Sequence, residues 1–441
     1  MVPVVTPLLV MAALVLGDGQ GVDCKIANAV TKQFVPFRII AKPKGKDFAN
    51  NPAALRAVLA STLHVPLNQL SVPRRVGAAA FSIDSQGVDI SQADIFNQPE
   101  PFKDDRFEWI ERDPYIFAHQ ATPPDDFYYA TSALHPLWGL KEISAPTAWD
   151  LSTGSDTVVA AIVDSGVDPA HEDLPRLWSL PAQVDNCAAN STGYDALTNL
   201  CVTNVRGDHA TRMAGAIGAL GNNHIGVVGV NWKVGLLSST FMQGTIGCAD
   251  AAANALDYVR RVADAAHVRV VNLSWGTSVD SSAVHDELTL LSNAHVVLVA
   301  AAGNGPTDID QHPVYPAYYK DLATLISVAN TKEDGHLGDD SNYGQTSVHI
   351  AAPGLNIMTT SSTAVGGYFN DWGTSIAAAH VTGAIALLAS KCGNQSGEQL
   401  KELLLDDGNF DDRSQLFGNR VEKNRFLDIG KAMKKCAALP P

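Results

Sequence analysis

Gly373-Thr374-Ser375-Ile376-Ala377-Ala378-Ala379-His380-Val381 is the stretch on which the reading of this chain turns. A glycine, a threonine and a serine stand before a run of small and apolar residues that continues through Gly383-Ala384-Ile385-Ala386-Leu387-Leu388. Such a run predicts a buried helix over 375–390. A serine in the first turn of that helix meets unpaired backbone N–H groups and the positive end of the helix dipole, which favours negative charge developing beside its hydroxyl. Small neighbours let a second backbone come close. Taken alone, the commoner role for such a serine is to cap the helix.

The rest of the C-terminal two-thirds puts that helix in context. From about residue 127 onward, apolar β-branched runs of buried parallel-strand type alternate with helical patterns. Strands are expected at 157–163, 268–273, 296–301, 325–329 and 348–351, with further helices at 211–220, 249–266 and 281–293. The expected fold is α/β, a mainly parallel sheet flanked by helices. In such sheets the binding crevice lies beyond the strand C-termini. Asp164, Asn272 and Asn304 stand at or just past such ends.

Residues 24–118 have a different texture and read as a small α+β unit. Strands are expected at 37–41, 78–83 and 107–111, and a helix at 51–63 with Leu55, Val58, Leu59 and Leu63 on one face. The stretch 112–126, with its Pro, Asp, His and Gln, reads as an exposed linker open to nicking, with processing placed at 119–126. Residues 1–17 are apolar and uncharged, which fits a signal-peptide core better than a spanning helix, although no Lys or Arg precedes the run.

At 441 residues the chain exceeds one typical domain, and 46% hydrophobic with 17% charged residues describes a globular protein. A net charge of −15 argues against nucleic-acid binding, which would call for a basic footprint. After the N-terminus no window is long and apolar enough to predict a membrane span. Six cysteines without a C-x-x-C pair suggest disulfides in an exported chain rather than a zinc site. Cys187–Cys201, flanking a polar loop, and Cys392–Cys436 are the expected pairs. If Cys24 departs with an N-terminal segment one thiol is left over, and Cys248 is the candidate.

A serine hydroxyl needs a base to become a nucleophile, and a neutral imidazole needs a carboxylate to fix its tautomer. The candidate base is His209 in Gly207-Asp208-His209-Ala210-Thr211-Arg212, and the candidate carboxylate is Asp164 in Val163-Asp164-Ser165-Gly166. With Ser375 they stand in the order Asp…His…Ser, the subtilisin order of a catalytic triad. On these motifs, with Ala377-Ala378, His380-Val381 and Ala301-Ala302-Gly303-Asn304, the chain resembles the subtilisin-like serine proteases (subtilases) over roughly 127–390.

The resemblance implies roles for further residues. Asn304 would donate to the oxyanion. Ser274, Trp275 and Gly276 would form one substrate-pairing strand, with Gly247 on the opposite strand. The strand 271–276 would also wall the first specificity pocket, which reads as apolar and suited to apolar or aromatic side chains, with Ala317 on its edge loop after a Tyr315-Pro316 bond that could be cis, and Ala301 and Gly303 would be further substrate-binding residues. Calcium would be held by Asp173, the Asn223 side chain and the carbonyls of Gly221, Ile225 and Val227. Residues 24–118 would be an inhibitory prodomain whose tail, 107–120, occupies the cleft of the 127–441 peptidase domain. The expected protein is a secreted, monomeric endopeptidase made as a zymogen, acting on polypeptides and free of nucleic acid and, after signal removal, of membrane. Asn190 and Asn394 lie in glycosylation sequons, and a third sequon at Asn272 is expected to be buried.

The pattern also departs from the family. Ala210 stands where a glycine is usual and Arg212 where a histidine is usual, and Trp372 is bulky before Gly373. A displaced imidazole would leave a pseudoprotease that keeps the fold as a binding scaffold, which is the alternative reading. No G-x-S-x-G surrounds Ser375, so an esterase elbow is not supported.

Overall fold

The computed structural model describes residues 34–44, 48, 51–76, 78–86, 88–90, 96, 104–118 and 137–439 except 185 and 224. The segment read as a signal, residues 1–17, and the processing segment, 119–126, lie outside them.

The N-terminal unit consists of β1 (Phe34–Pro43), the helix Pro52–Thr62, β2 (Arg74–Val76), β3 (Ala80–Asp84) and β4 (Phe107–Ala118). The strands pair antiparallel in the order β4-β1-β3-β2. Strand periodicity divides β1 between two cores, because successive side chains point to opposite faces. Ile39 and Ala41 pack with Leu55, Leu59, Phe81 and Ile83 inside the unit, whereas Ile40 joins the core of the larger unit.

The larger unit contains β5 (Gly154–Asp164), β6 (Gly193–Asp195), β7 (Lys233–Thr240), β8 (Ile246–Cys248), β9 (Val268–Leu273), β10 (Trp275–Gly276), β11 (Val297–Ala301), β12 (Leu325–Thr331) and β13 (Ile350–Pro353). The hairpin β14 (Ile357–Thr360) and β15 (Tyr368–Asp371) follows, then β16 (Asp411–Asp412) and β17 (Arg425–Phe426). Nine of these strands form one sheet in the order β16-β17-β13-β12-β11-β9-β5-β7-β6, parallel throughout except for β16 against β17. Its central strands are buried along most of their length, as a parallel sheet covered on both faces requires. The α/β expectation therefore holds. The helix Thr374–Lys391 is buried from Thr374 to Ala389 and packs against β5, β9, β11 and β12, which explains its all-round apolar sequence.

Sequence reasoning missed β7, where Gly235 and the pair Ser238-Ser239 interrupt the apolar run. It also stopped β4 too early. The stretch 112–118, read as part of an exposed linker, continues the strand to Ala118, because its backbone has partners on both sides. Tyr115, Ile116 and Phe117 stand opposite Cys248, Gly247 and Ile246 of β8, while Phe117 and Ala118 stand opposite Gly276 and Trp275 of β10.

Both expected disulfides are formed, Cys187–Cys201 and Cys392–Cys436. Cys248, the thiol expected to be left over if Cys24 departs, is not free in the full chain. It too is disulfide-bonded, and no cysteine among the described residues is free. No helix among the described residues is long and apolar enough to cross a membrane.

Candidate active site

The sheet delivers the candidate residues to one edge. Asp164 is the last residue of β5, and His209 opens the helix His209–Gly218, which packs on the helix carrying Ser375. The Asp164 carboxylate is fully buried and its Oδ2 lies 2.8 Å from His209 Nδ1. The other carboxylate oxygen accepts the Ser165 N–H at 2.6 Å. This arrangement places the proton on Nδ1 and leaves Nε2 as the acceptor. His209 Nε2 is buried and has no hydrogen-bond partner.

Ser375 sits in the first turn of its helix, and its Oγ donates to the Ser274 carbonyl at 3.1 Å. The Ser274 hydroxyl in turn donates to the Ser375 carbonyl at 3.0 Å and accepts Asn272 Nδ2 at 2.8 Å. Thr382 closes this relay on Asn272 Oδ1 at 3.0 Å. The serine–imidazole hydrogen bond is thus not formed here, a common state of such sites before substrate is seated. Gly373, before the helix, has φ 110°, and a Cβ on it would come within 2.7 Å of Asn304 Nδ2. Only glycine suits that position.

Asn304 is oriented by Thr374, whose N–H and hydroxyl donate to its Oδ1 at 2.8 and 2.9 Å. Asn304 Nδ2 is then buried without a partner. Buried donors are seldom left unpaired, so an unpaired one beside a serine at a helix start asks for a chemical reason. The signal for Thr374 was available in the sequence as the polar residue between Gly373 and Ser375, but nothing in the pattern said which amide it would hold.

Gly247 and the segment Ser274-Trp275-Gly276 lie on the two strands that flank the end of β4. Trp275 is fully buried, its Nε1 donating to the Val163 carbonyl at 2.7 Å, and it meets Phe241 edge-on at 5.1 Å. Ala301 ends β11, and Gly303 N donates to Thr374 Oγ1 at 3.0 Å. Tyr315 pairs with Thr277 beyond β10, the Tyr315–Pro316 bond is cis, and Ala317 is buried behind it. A cleft of about 590 Å³ beside Asn304 is lined by Ser278, Thr307, Gln311, His312 and Val314 among others, with no carboxylate on its wall.

Ala210 does not displace its neighbour. It is fully buried, its N–H donates to Ser165 Oγ at 3.2 Å, and the His209–Asp164 contact is formed beside it. Trp372 packs on Phe369 with ring centroids 5.8 Å apart. His380 is buried, its Nδ1 3.0 Å from the Ile376 carbonyl, and burial pulls its pKa down to about 4, so it stays neutral.

Of the residues expected to hold calcium, Asp173 is hydrogen-bonded to the Asn223 side chain and to the Val227 backbone. Asp173 accepts Asn223 Nδ2 at 2.6 Å on one oxygen, and Val227 N at 2.7 Å and Tyr368 OH at 3.3 Å on the other. The Asn223 carbonyl oxygen is taken by Ile225 N at 3.1 Å. As arranged, these two side chains spend their oxygens on N–H and O–H donors and do not turn them to a common point, as a cation would need. The three-residue Asp, Cys, Glu or His cluster found among the described residues is Asp113, Cys248 and Asp250. The Arg38 guanidinium stands 3.2 Å from Asp250 and 3.6 Å from Asp113, so a cation already neutralises that cluster.

The site can be compared with known proteins. The model of the subtilase family matches residues 154–420, more than half of the chain. Thermitase of Thermoactinomyces vulgaris is 33% identical over 269 residues, covering 61% of this chain and 86% of thermitase. A thermophilic serine proteinase of Bacillus sp. (strain AK1) is 30% identical over 279 residues, 63% of this chain and 62% of that one. The crystal structure of fervidolysin from Fervidobacterium pennivorans superposes with a TM-score of 0.66 at 19% identity, covering 92% of this chain and 62% of that chain.

Proposed function

The chain belongs to the subtilase family of subtilisin-like serine proteases, and from that premise we propose that it is a secreted endopeptidase made as a zymogen, with Asp164, His209 and Ser375 as its triad and Asn304 as its oxyanion donor. One observation carries this reading. The His209 Nε2 and the Asn304 amide donor are both buried without partners, the His209 helix packing on the Ser375 helix and Asn304 bonded to Thr374 beside Ser375.

In the reaction, His209 Nε2 takes the Ser375 proton as Oγ attacks the scissile carbonyl. Asp164 holds the imidazole tautomer and stabilises the imidazolium. Asn304 Nδ2 and the Ser375 N–H receive the charge on the carbonyl oxygen. The imidazolium returns the proton to the leaving amine, and water then releases the acyl group by the same steps. A polypeptide substrate would add between β8 and β10 in place of the end of β4, pairing its backbone with both.

On this reading residues 24–118 act as the enzyme's own inhibitor, cut off within 119–126. Two formed disulfides and solvent-exposed Asn190 and Asn394 suit an exported, glycosylated chain, whereas Asn272 is buried and closed to modification. No step is assigned to calcium.

The test compares wild type with Ser375→Ala. Wild type should mature to a smaller species, digest casein and accept a fluorophosphonate label, and the variant should do none of these. Casein cleavage by the variant would remove Ser375 from the chemistry. A wild type that stays inert and unlabelled would favour the scaffold reading, for which the site geometry offers no support.

A further inference from the structure

Arg212 is buried on the helix that begins with His209, its side chain 11% exposed. Its Nε is ion-paired with Asp208 Oδ2 at 3.1 Å without hydrogen-bond geometry, and Nη1 donates to Asp371 Oδ1 at 3.1 Å. The guanidinium also stacks over Phe369, 4.7 Å from the ring centroid. Both carboxylates lie at decisive places. Asp208 immediately precedes the base, and it also accepts the Ser361 hydroxyl at 2.8 Å and the Ser362 N–H. Asp371 ends β15, accepts the Trp372 N–H at 2.9 Å, and leads through Gly373 and Thr374 into Ser375.

We propose that Arg212 is a positioning residue, a buried cation that ties the start of the base-bearing helix to the strand leading into the nucleophile and balances the charge beside the imidazole. This rests on the triad reading above. The planar fork of a guanidinium can meet two carboxylates in fixed directions, which a point-charge ammonium cannot do equally well. Other bonds tether the same helix to β14, since Thr359 and Thr360 hydroxyls donate to the Arg212 and Thr211 carbonyls at 2.6 and 2.7 Å. They hold the helix backbone but do not reach Asp371. Without Arg212, Asp208 and Asp371 keep their negative charges with no cation between them. Misplacing reacting groups by about 1 Å costs roughly 100-fold in rate.

The charges facing His209 and this clamp are Asp164, Asp208, Asp371 and Arg212. Removing the one cation from that set favours the imidazolium, so the acid limb of the pH–rate profile should move to higher pH. The experiment measures the rate of fluorophosphonate labelling of the processed chain from pH 5 to 10, with KM for a peptide substrate and Tm, in wild type, Arg212→Gln and Arg212→Lys.

Arg212→Gln should label roughly 10- to 100-fold more slowly at its plateau, with KM unchanged and the acid limb raised. Arg212→Lys should keep the wild-type acid limb but label at an intermediate rate. A folded Arg212→Gln with the wild-type rate and profile overturns the proposal, as does one in which only Tm falls. If Arg212→Gln does not fold, Arg212→Lys decides, a reduced rate supporting the clamp and a wild-type rate overturning it. Absence of labelling in wild type would instead sink the triad reading.

Discussion

The N-terminal unit and the parallel-sheet unit each bury an apolar core, but they differ in where charge is buried. Around Ser375 the buried polar groups are largely amides and hydroxyls, such as Asn272, Ser274, Thr374 and Thr382, with Asp164 paired to His209 and Asp371 to Arg212. Between the two units buried ionisable groups take over. Arg38, 1% exposed, reaches Asp84 at 2.8 Å, Asp250 at 3.2 Å and Asp113 at 3.6 Å. Glu111 accepts Ser282 N at 2.7 Å and Ser281 Oγ at 2.9 Å at the start of the helix Ser282–Asn293. Asp113 accepts Asp250 N at 3.2 Å at the start of the helix Ala249–Ala266. The active-site network is held largely by amides and hydroxyls, which carry no charge to change. The seam between the units is built to respond to pH.

The largest expected effect tests the fixed half. Asn304→Leu removes the unpaired donor and leaves Thr374 without its acceptor. The value of an oxyanion amide was established on subtilisin itself, and kcat should fall by about 10²–10³ with KM little changed. Steady-state kinetics on a peptide substrate checks this. A kcat within about 3-fold of wild type would show that the buried amide is not spent on the transition state.

The next effect tests the responsive half. Burial pushes the Glu111 carboxyl up from 4.5 to about 7, although its Ser and Ala donors pull the other way. Burial and the neighbouring Asp250 raise Asp113 as well, against Arg38. A carboxyl raised in the joined state makes the junction strongest where both states are protonated, below about 4.5 for Glu111. As pH climbs from there through about 7 the separated unit sheds its proton first and association weakens, then levels off. In a processed Cys248→Ser chain, which has no disulfide left to tether the units, retention of the N-terminal unit, followed by size exclusion from pH 4.5 to 8, should fall on the order of 100-fold in affinity through Glu111. Glu111→Gln should remove much of that slope. A retention profile indifferent to pH would mean that the three donors, rather than burial, govern this carboxyl.

A smaller effect concerns the larger unit alone. Cys187–Cys201 closes a loop with a separation of 14 residues, so opening it by Cys187→Ser with Cys201→Ser should cost roughly 3 kcal/mol of stability. The loss should appear in thermal unfolding while activity below Tm is kept, since neither cysteine contacts the triad.

The sequence made the centre of the molecule legible and its seams much less so. β9, β11 and β12 read correctly because buried parallel strands announce themselves as unbroken β-branched runs, and the helix bearing Ser375 read correctly because it is apolar all round. β7 escaped because its glycine and serines serve close packing and side-chain hydrogen bonds that no local pattern reveals. The end of β4 escaped because Pro114 and its neighbours carry turn-like composition, and only pairing with β8 and β10, far along the chain, makes them a strand. Candidate triad residues were visible as motifs, whereas Arg212 was visible only as a departure. Its meaning depends on Asp371, which lies 159 positions away.

The smallest expected effect concerns the loop 221–227, where motif and geometry part. The motif implied calcium, yet Asp173 has its acceptor positions filled by Asn223, Val227 and Tyr368. A carboxylate satisfied by N–H and O–H donors gains little from a cation, because binding would first have to break those bonds and turn the Asn223 amide away from Ile225 N. Chelation with EDTA should therefore shift Tm by less than about 2 °C, whereas Asn223→Ala should cost about 1–2 kcal/mol by removing a bond to a charged acceptor. A large fall in Tm on chelation, restored by calcium alone, would mean that the loop exchanges its donors for oxygens when the ion is present. Gly226, at φ 53° against Tyr368 and Asp173, would be the hinge of that exchange, since a side chain there is excluded by both.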